Sequence, residues 1–414
     1  MNDALYNLPN DVLIYIIAFL SVPDILLLRQ TCKRFNTLTR LHIVWTNAFK
    51  LDILSNGYPA PIDDTDLEQR TLHSYRLTSR WLANSPLMPA SETSFTGSPV
   101  SEIKFIPGRQ HKWLLTVSKG TRSVLAIWDI VRRHKCSEWS PRGVPFTGVR
   151  LNTDTESEAS IAVALDGSQR IALLHLDDDG TLREIHSFDI DLHLVTLTGD
   201  IMALSDDLSK TLIYNWRTDE RAYLDEGDMQ HGHCIQVIFT ALTILVIRAR
   251  SINLYTTLPF LHGQTHSPVA SHSFRCVDGA SATPTSVLIR SEIDNSWISG
   301  LDLFKLYSIS SFPPTFTSEI ASQCGSLQCT DVILGKCETA VWIRPYRVMT
   351  FPDQEHRETL MAAVFPGPLN PTAKPRVREV CPNPLNNWTA LDYDEELGRI
   401  ALGSGFGKIT VVQL

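Results

Sequence analysis

The sequence predicts an α+β multidomain fold, with an all-α N-terminal part followed by a large all-β part. Apolar residues recur at helical spacing between residues 8 and 50 and again between residues 63 and 84. From about residue 99 to the end, short apolar runs are broken by Gly, Asp, Asn and Ser, which is typical of strands and turns. The stretch from Pro86 to Pro99, with Ser, Thr, Gly and three prolines, is the expected linker between the two parts.

The composition is that of a folded globular protein. Of the 414 residues, 43% are hydrophobic and 20% are charged, so the chain can bury a sizeable core. The formal net charge is −8 and no Lys/Arg-rich run stands out, so we expect neither nucleic acid nor a membrane surface as a partner. The longest apolar runs are far shorter than a bilayer span, and no signal peptide is visible. The eight cysteines form no CxxC pair, which indicates reduced thiols in a cytoplasmic or nuclear protein.

Capping residues and periodicity predict three short helices in the N-terminal part. Pro9 suits the opening turn of the first helix, because a proline there loses no intrahelical hydrogen bond. The apolar residues that cluster on one side of this helix are Val12, Leu13, Ile16, Ile17 and Leu20. The second helix starts at Ser21-Val22-Pro23-Asp24, and the third follows Thr31 or Cys32. A unit of about 45 residues is too small to bury apolar groups on every side of its helices, so the rest of the chain or a partner should cover them.

The same residues resemble the F-box pattern over about residues 7 to 50. The matching positions are Leu8-Pro9, Asp11-Val12-Leu13, Ile16, Phe19-Leu20, Pro23-Asp24, Leu27, Cys32-Lys33-Arg34-Phe35, Leu38 and Trp45. The resemblance implies a three-helix module that docks onto the small adaptor subunit of SCF-type ubiquitin ligases. It implies adaptor-binding roles for Leu8, Pro9, Leu13, Ile16, Leu20, Pro23 and Leu27, and packing roles for Phe35, Leu38 and Trp45. Thr31 stands where the family often has Val, which affects only local packing.

A further helix is predicted between the two parts. Asp63 or Asp64 can cap it, acidic residues fill its first turn, and Arg76 and Arg80 lie toward its end, as the helix dipole favours. We expect this connecting helix to fix the F-box relative to the β domain. The predicted bounds are residues 5–50 for the F-box, 51–98 for the connecting helix and linker, and 99–414 for the β domain.

The β domain resembles a divergent β-propeller of the WD-repeat kind. Ile127-Trp128-Asp129 resembles the dipeptide that ends a blade's third strand, and Ile213-Tyr214-Asn215-Trp216 stands at the equivalent place in a later unit. At roughly 40–45 residues per blade the domain accommodates about seven blades, with six or eight left open. Radial repetition leaves only short, protected strand edges, and we expect the C-terminal strands to close the ring. A two-sheet sandwich or two smaller β domains is the alternative.

Three segments with some likeness to chemical sites are expected to be turns or loops. The stretch Gly403 to Ile409 lacks the spacing and the hydroxyl of a phosphate-binding loop. His231 and His233 with Cys234 lack a second cluster at zinc-finger spacing, and Asp177 to Gly180 lacks the alternation of a calcium loop. We therefore expect no metal, no cofactor and no catalytic residues.

Together these features predict the substrate-receptor subunit of a cullin–RING ubiquitin ligase, in which the F-box binds the adaptor and the propeller binds a target protein. The residues that bind the target are not predicted. The alternative is a scaffold protein whose propeller organises a complex without ubiquitin transfer. An enzyme in the propeller's central channel is the third hypothesis.

Overall fold

Helices occupy the N-terminal part of the chain and strands occupy the remainder in the computed structural model. The structure describes residues 8–61, 66–120, 122–141, 143–166, 169–206, 210–225, 232–257, 263–274, 277, 279–292, 301–323, 329–345 and 357–414.

The N-terminal region contains four short helices, where the sequence predicted three. They are α1 (Asn10–Ile17), α2 (Val22–Arg29), α3 (Lys33–Leu38) and α4 (His42–Ala48), continued by a π-helical segment (Phe49–Leu54). The predicted third helix is confirmed as α3, which follows Cys32 but ends before Leu41, which the prediction included. The extended backbone of Leu41, with φ −66° and ψ 135°, separates α3 from α4, which the sequence analysis did not predict. In the part of the chain that the structure describes, every helix falls short of the length and apolarity that crossing a bilayer requires.

The predicted connecting helix is confirmed as α5 (Leu67–Leu82). Its N-cap is Asp66, whose carboxylate accepts a 3.4 Å hydrogen bond from the backbone N–H of Glu68. The predicted caps Asp63 and Asp64 lie outside the described residues. The first half of α5 packs on the N-terminal helices and its second half packs on the β domain, so one helix joins the two parts.

Within the residues that the structure describes, twenty-nine strands follow the helices. The first sixteen are β1 (Ser91–Thr96), β2 (Glu102–Phe105), β3 (Trp113–Ser118), β4 (Val124–Asp129), β5 (His134–Trp139), β6 (Phe146–Leu151), β7 (Ile161–Leu165), β8 (Arg170–Leu176), β9 (Leu182–Asp189), β10 (His193–Thr198), β11 (Ile201–Ser205), β12 (Thr211–Asn215), β13 (Glu220–Leu224), β14 (Cys234–Phe239), β15 (Thr243–Arg248) and β16 (Ser251–Thr256). The others are β17 (Gln264–His266), β18 (Ala270–Ser273), β19 (Gly279–Ala282), β20 (Ser286–Glu292), β21 (Leu301–Ser308), β22 (Thr315–Gln323), β23 (Val332–Leu334), β24 (Thr339–Arg344), β25 (Glu358–Val364), β26 (Arg376–Asn383), β27 (Trp388–Asp394), β28 (Arg399–Ser404) and β29 (Lys408–Gln413).

These strands form seven antiparallel sheets, which are the blades of a β-propeller. Blades 1 to 6 are β2–β5, β6–β9, β10–β13, β14–β16 with β18, β19–β22 and β23–β26. Strand β17 adds to blade 3 by pairing parallel to β13. The predicted count of seven is confirmed, and the sandwich alternative is wrong because the strands form seven separate sheets instead of two. Apolar side chains of neighbouring blades pack against each other and form most of the core.

Blade 7 joins the two ends of the β domain. It contains β27, β28 and β29, and β1 completes it by pairing with β29 from Ser91 opposite Gln413 to Thr96 opposite Lys408. The predicted ring closure by the C-terminal strands is thus present. The stretch from Pro86 to Pro99, which the sequence analysis predicted to be a linker, contains β1. The propeller therefore includes residues N-terminal to 99. Strand β1 is the outermost strand of blade 7, and most of its residues are exposed. Its sequence, SETSFT, is therefore more polar than that of an inner strand, whose residues are buried.

The two WD-like segments lie where the resemblance predicted. Trp128-Asp129 ends β4, the third strand of blade 1, and Tyr214-Asn215 ends β12, the third strand of blade 3. The indole N–H of Trp128 donates a 2.8 Å hydrogen bond to the hydroxyl of Thr116 on β3. The carboxylate of Asp129 accepts a 2.7 Å hydrogen bond from the backbone N–H of Arg132 and so braces the turn that follows β4.

Candidate protein-interaction surfaces

The two sides of α1 have opposite environments. Leu13 and Ile17 are each 1% exposed and pack in the core of the helical region. Apolar residues with the spacing i, i+3, i+4 and i+7 cover an adjacent side that faces solvent. They are Val12, Tyr15, Ile16 and Phe19, with exposed fractions of 38%, 68%, 41% and 66%. We call these four residues the α1 apolar surface, and a contiguous apolar surface of this kind marks an interaction site.

An aromatic pair belongs to the α1 apolar surface. The ring centroids of Tyr15 and Phe19 lie 5.1 Å apart with their planes at 74°, an edge-to-face arrangement that stabilises both rings. Each ring is nevertheless about two-thirds exposed. Exposed aromatic side chains that are already held in place lose little conformational freedom on binding, which suits them to anchor a protein interface.

The structure places the seven predicted adaptor-binding residues in three different environments. Exposed residues are Pro9, Ile16 and Leu27, and half-buried residues are Leu8, Leu20 and Pro23. Leu13 is buried in the helical core, so this member of the set is a packing residue whose side chain is closed to a partner. The predicted apolar stripe of α1 is thus divided, with one edge in the core and the other edge in solvent.

The packing roles implied for Phe35, Leu38 and Trp45 agree with their positions. Leu38 and Trp45 are buried in the helical core, and Phe35 packs against it. The indole N–H of Trp45 donates a 2.8 Å hydrogen bond to the carbonyl of Thr39, so its polar atom is satisfied inside the core. Val12, Tyr15 and Phe19 are the members of the α1 apolar surface to which the sequence analysis gave no adaptor-binding role. Their helical spacing from Ile16 is the signal that could have identified them.

The last turn of α5 is fixed to blade 6 by two arginines of the outer strand β26. Arg376 donates to the carbonyls of Trp81 and Leu82 at 3.1 and 2.8 Å. Arg378 donates to the carbonyls of Arg80, Trp81 and Ala83 at 3.1, 3.0 and 3.0 Å. The final carbonyls of a helix have no partner within it, and cationic donors there are favoured by the helix dipole. Neither arginine was predicted, because each lies almost 300 positions from its partner.

A second set of contacts joins α5 to blade 7. Trp81 is fully buried against the strands of blades 6 and 7, and His73 Nε2 lies 3.3 Å from the carbonyl oxygen of Glu396 in the turn between β27 and β28. Gly398 ends that turn with φ +63°, and an added Cβ would lie 2.6 Å from Cδ1 of Leu77. The glycine therefore permits both the turn and the close approach of α5. These contacts attach the F-box region to the ring face that carries this turn.

A cavity of about 590 Å³ opens on the same ring face. It is lined by loops of blades 1, 2, 6 and 7 and by Pro61 of the segment before α5. Glu395 lines it and is 7% exposed, and its carboxylate accepts hydrogen bonds from the backbone N–H of Cys337 and the hydroxyl of Thr339. Burial raises the pKa of Glu395, and burial also raises the pKa of Asp394 to about 6. The hydrogen bonds of Glu395 brace the contact between blades 6 and 7.

The segments with some likeness to chemical sites are turns where the structure describes them. Gly403 to Ile409 forms the hairpin between β28 and β29, and Asp177 to Gly180 forms the hairpin between β8 and β9. His231 lies outside the described residues, and His233 is exposed just before β14. Among the residues described, no three His, Cys, Asp or Glu side chains lie close enough to hold a metal ion.

Comparisons with known proteins agree with this architecture. The F-box-like family model matches residues 5–51. The WD40 domain of Neurospora crassa Pan2 is similar over 79% of this chain and 97% of that domain, with 11% identity and a TM-score of 0.53. The β-propeller domain of Myceliophteria thermophila Cps50 (Swd1) is similar over 78% of this chain and 99% of that domain, with 8% identity and a TM-score of 0.51. At these identities the likeness shows the fold alone. A search of curated proteins found no match.

The family match spans α1 to α4. The chain therefore carries an F-box-like region at residues 5–51, followed by a seven-bladed β-propeller that has WD40 domains among its structural neighbours.

Proposed function

We propose that this protein is the substrate-receptor subunit of an SCF-type cullin–RING ubiquitin ligase. Its F-box binds the ligase adaptor and, through it, cullin, and its propeller binds a protein that is to be degraded. The chain itself is non-catalytic and needs no cofactor, because ubiquitin transfer belongs to the other subunits. Such a role belongs in the cytoplasm or the nucleus.

The α1 apolar surface is the observation that carries the proposal. Half of the apolar residues of α1 face away from the helical core. Exposing the aromatic rings of Tyr15 and Phe19 to water does not stabilise an isolated chain, so a partner is expected to cover them. The adaptor contact proposed here comprises these residues together with Leu27 on α2, which is 62% exposed. Pro9 and the half-buried Leu8, Leu20 and Pro23 complete the set.

The attachment of α5 supports the same role. A receptor must hold its target at a defined position relative to the transfer machinery, because transfer depends on proximity and orientation. The first half of α5 packs in the F-box core, and its last turn is held by Arg376 and Arg378. The loops of the ring are then free to vary for recognition while the blades hold their ends.

The scaffold alternative uses the same two surfaces. A protein that organises a complex without ubiquitin transfer would also need an F-box partner and a ring partner. Only the fate of the captured proteins separates the two functions, since a receptor shortens their half-lives and a scaffold does not.

Substitution of Phe19 by Asp tests the adaptor contact. A charge in an apolar interface is costly to desolvate, so we expect adaptor binding by the full chain to weaken at least about 30-fold. Leu242→Asp is the matched control, because Leu242 is 79% exposed in the β14–β15 turn of the ring. Leu13 is unsuitable because a charge in the helical core would unfold it. Undiminished adaptor binding by Phe19→Asp, in titrations with purified adaptor, would overturn the assignment.

A further inference from the structure

The two arginines that hold the end of α5 carry more positive charge than their surroundings neutralise. Arg376 and Arg378 lie on the same side of β26, and they donate hydrogen bonds to backbone carbonyls and to the amide oxygen of Asn84. The Arg378 guanidinium also lies 5.3 Å from the ring of Trp81. Among the described residues, none of these partners is a carboxylate. The Nε atoms of both arginines are buried and make no hydrogen bond.

This arrangement is electrostatically unfavourable without an anion. Burial together with the neighbouring charge of Arg376 lowers the pKa of Arg378 to about 10. The end of a helix contributes only roughly half of one negative charge, which two guanidinium groups exceed. Cations that are partly removed from water are normally paired with anions.

An exposed serine lies beside the arginines. Asn84, Ser85 and Pro86 are exposed where the chain leaves α5, and the carbonyl oxygen of Ser85 lies 3.5 Å from Nη1 of Arg378. Arg80 is half-buried there and donates to the carbonyl of Met88. Ser85 ends the bend that follows α5, and because the next residue is proline its backbone cannot continue the helix, which leaves its side chain outside regular structure. A serine followed by proline is the substrate pattern of proline-directed protein kinases.

We propose that Ser85 is a phosphorylation site and that Arg80, Arg376 and Arg378 bind its phosphate. A protein kinase would transfer the γ-phosphoryl group of ATP to Oγ of Ser85, releasing ADP, and the hydroxyl proton would pass to the kinase's base. The phosphate brings roughly −1.5 to −2 charges and three acceptor oxygens. Repulsion by the helix end opposes it, but the attraction of the phosphate to the guanidinium charges of Arg376 and Arg378, which no carboxylate among their described contacts neutralises, is the stronger effect. Phosphorylation would therefore tighten the joint between α5 and the ring, whether or not the chain is a ligase receptor.

The test compares full-length wild-type protein with Ser85→Ala after treatment with a proline-directed kinase and ATP. Peptide mass spectrometry locates the phosphate, and a thermal melt measures Tm. We expect phosphate at Ser85 and a Tm higher by about 2 °C in the wild type only. The variant retains the other Ser-Pro sites, including Ser267, and so controls for phosphate elsewhere. Arg378→Gln should abolish the rise. If Arg378→Gln does not fold, Arg80→Gln, which changes a half-buried residue, should reduce the rise in Tm.

Three results would overturn the proposal. The first is phosphate at other serines with none at Ser85, which would show that the segment is closed to kinases. The second is a Tm that is unchanged or lowered by phosphate at Ser85, because the arginines would then not bind it. The third is an equal rise in Tm when inorganic phosphate, without kinase, is added to the wild type and to Ser85→Ala. This result would show that the arginines bind a free anion instead of a modified serine.

Discussion

Arg29 on α2 and Glu68 in the first turn of α5 form a two-point ion pair across the boundary between the F-box and the connecting helix. The two N–O distances are 2.5 and 3.1 Å, and the side chains are only 16% and 20% exposed. Arg29 also donates to the carbonyl of Thr39 at 2.9 Å and lies 5.4 Å from the ring of Trp45. The pair therefore connects α2, the α3–α4 turn and α5, and it makes α5 part of the F-box core.

Glu68→Gln should loosen this junction. The variant leaves the half-buried guanidinium of Arg29 without its charged partner, so we expect a loss of about 1–2 kcal/mol in the opening free energy of α2 and α5. Hydrogen exchange of the full-length chain measures this opening. Glu138→Gln is the matched control, because the Lys135–Glu138 pair is 46% exposed on both sides and should contribute less than about 0.5 kcal/mol. Equal protection of α2 and α5 in the two variants would show that the pair does not support the junction.

Gly407→Ala should destabilise the ring at its closing hairpin. Gly407 has φ +81°, and an added Cβ would lie 2.2 Å from the carbonyl oxygen of Gly97, between β1 and β2. The loss should be about 2 kcal/mol or more in the free energy of unfolding, measured by denaturant titration. Gly405→Ala in the same turn is the control, since its added Cβ would meet only Cγ2 of Thr389, at 3.4 Å. A loss of less than about 0.5 kcal/mol is expected there. Indistinguishable stabilities would mean that β29 does not need this turn.

Asp394→Asn should make the protein more stable at neutral pH. Burial raises the folded-state pKa of Asp394 from 3.8 to about 6, so the folded protein holds a proton that the unfolded chain releases. The free energy of unfolding therefore falls as the pH rises from about 4 to 6, and Asn removes this loss. Asn can still accept the 2.9 Å hydrogen bond from the N–H of Leu397. We expect wild type and variant to be equal near pH 4 and to differ by about 1–3 kcal/mol above pH 6. A difference independent of pH would contradict the raised pKa.

The elements with a strong periodic signal could be predicted from the sequence. The helical spacing of the N-terminal part, the acidic start of α5 and the length of one blade gave the order of the domains and the number of blades. The exposure of α1 could not be predicted to the residue. Leu13 and Ile16 belong to the same stripe, and only the packing of Leu13 against the other helices decides which of the two meets solvent.

Features that depend on distant parts of the chain were not predictable from one sequence. Strand β1 has a polar sequence, and it is a strand because β29, more than 300 residues away, offers it an edge. Arg376 and Arg378 have no local signal, since their hydrogen bonds run to the backbone of α5. Backbone carbonyls occur at every residue, so no pair of side-chain types identifies such a contact.

The half-lives of the proteins captured by the ring test the central claim most directly. Cells that express the wild type or Phe19→Asp are compared, with Leu242→Asp as the control, and captured proteins are identified by mass spectrometry before their decay is measured. Because Phe19 follows α1 in the helical region and is exposed, the same proteins should be captured by the variant. If the chain is a substrate receptor, these proteins will persist longer with Phe19→Asp than with the wild type or the control. Capture of the same proteins with unchanged half-lives would contradict the receptor function and favour the scaffold.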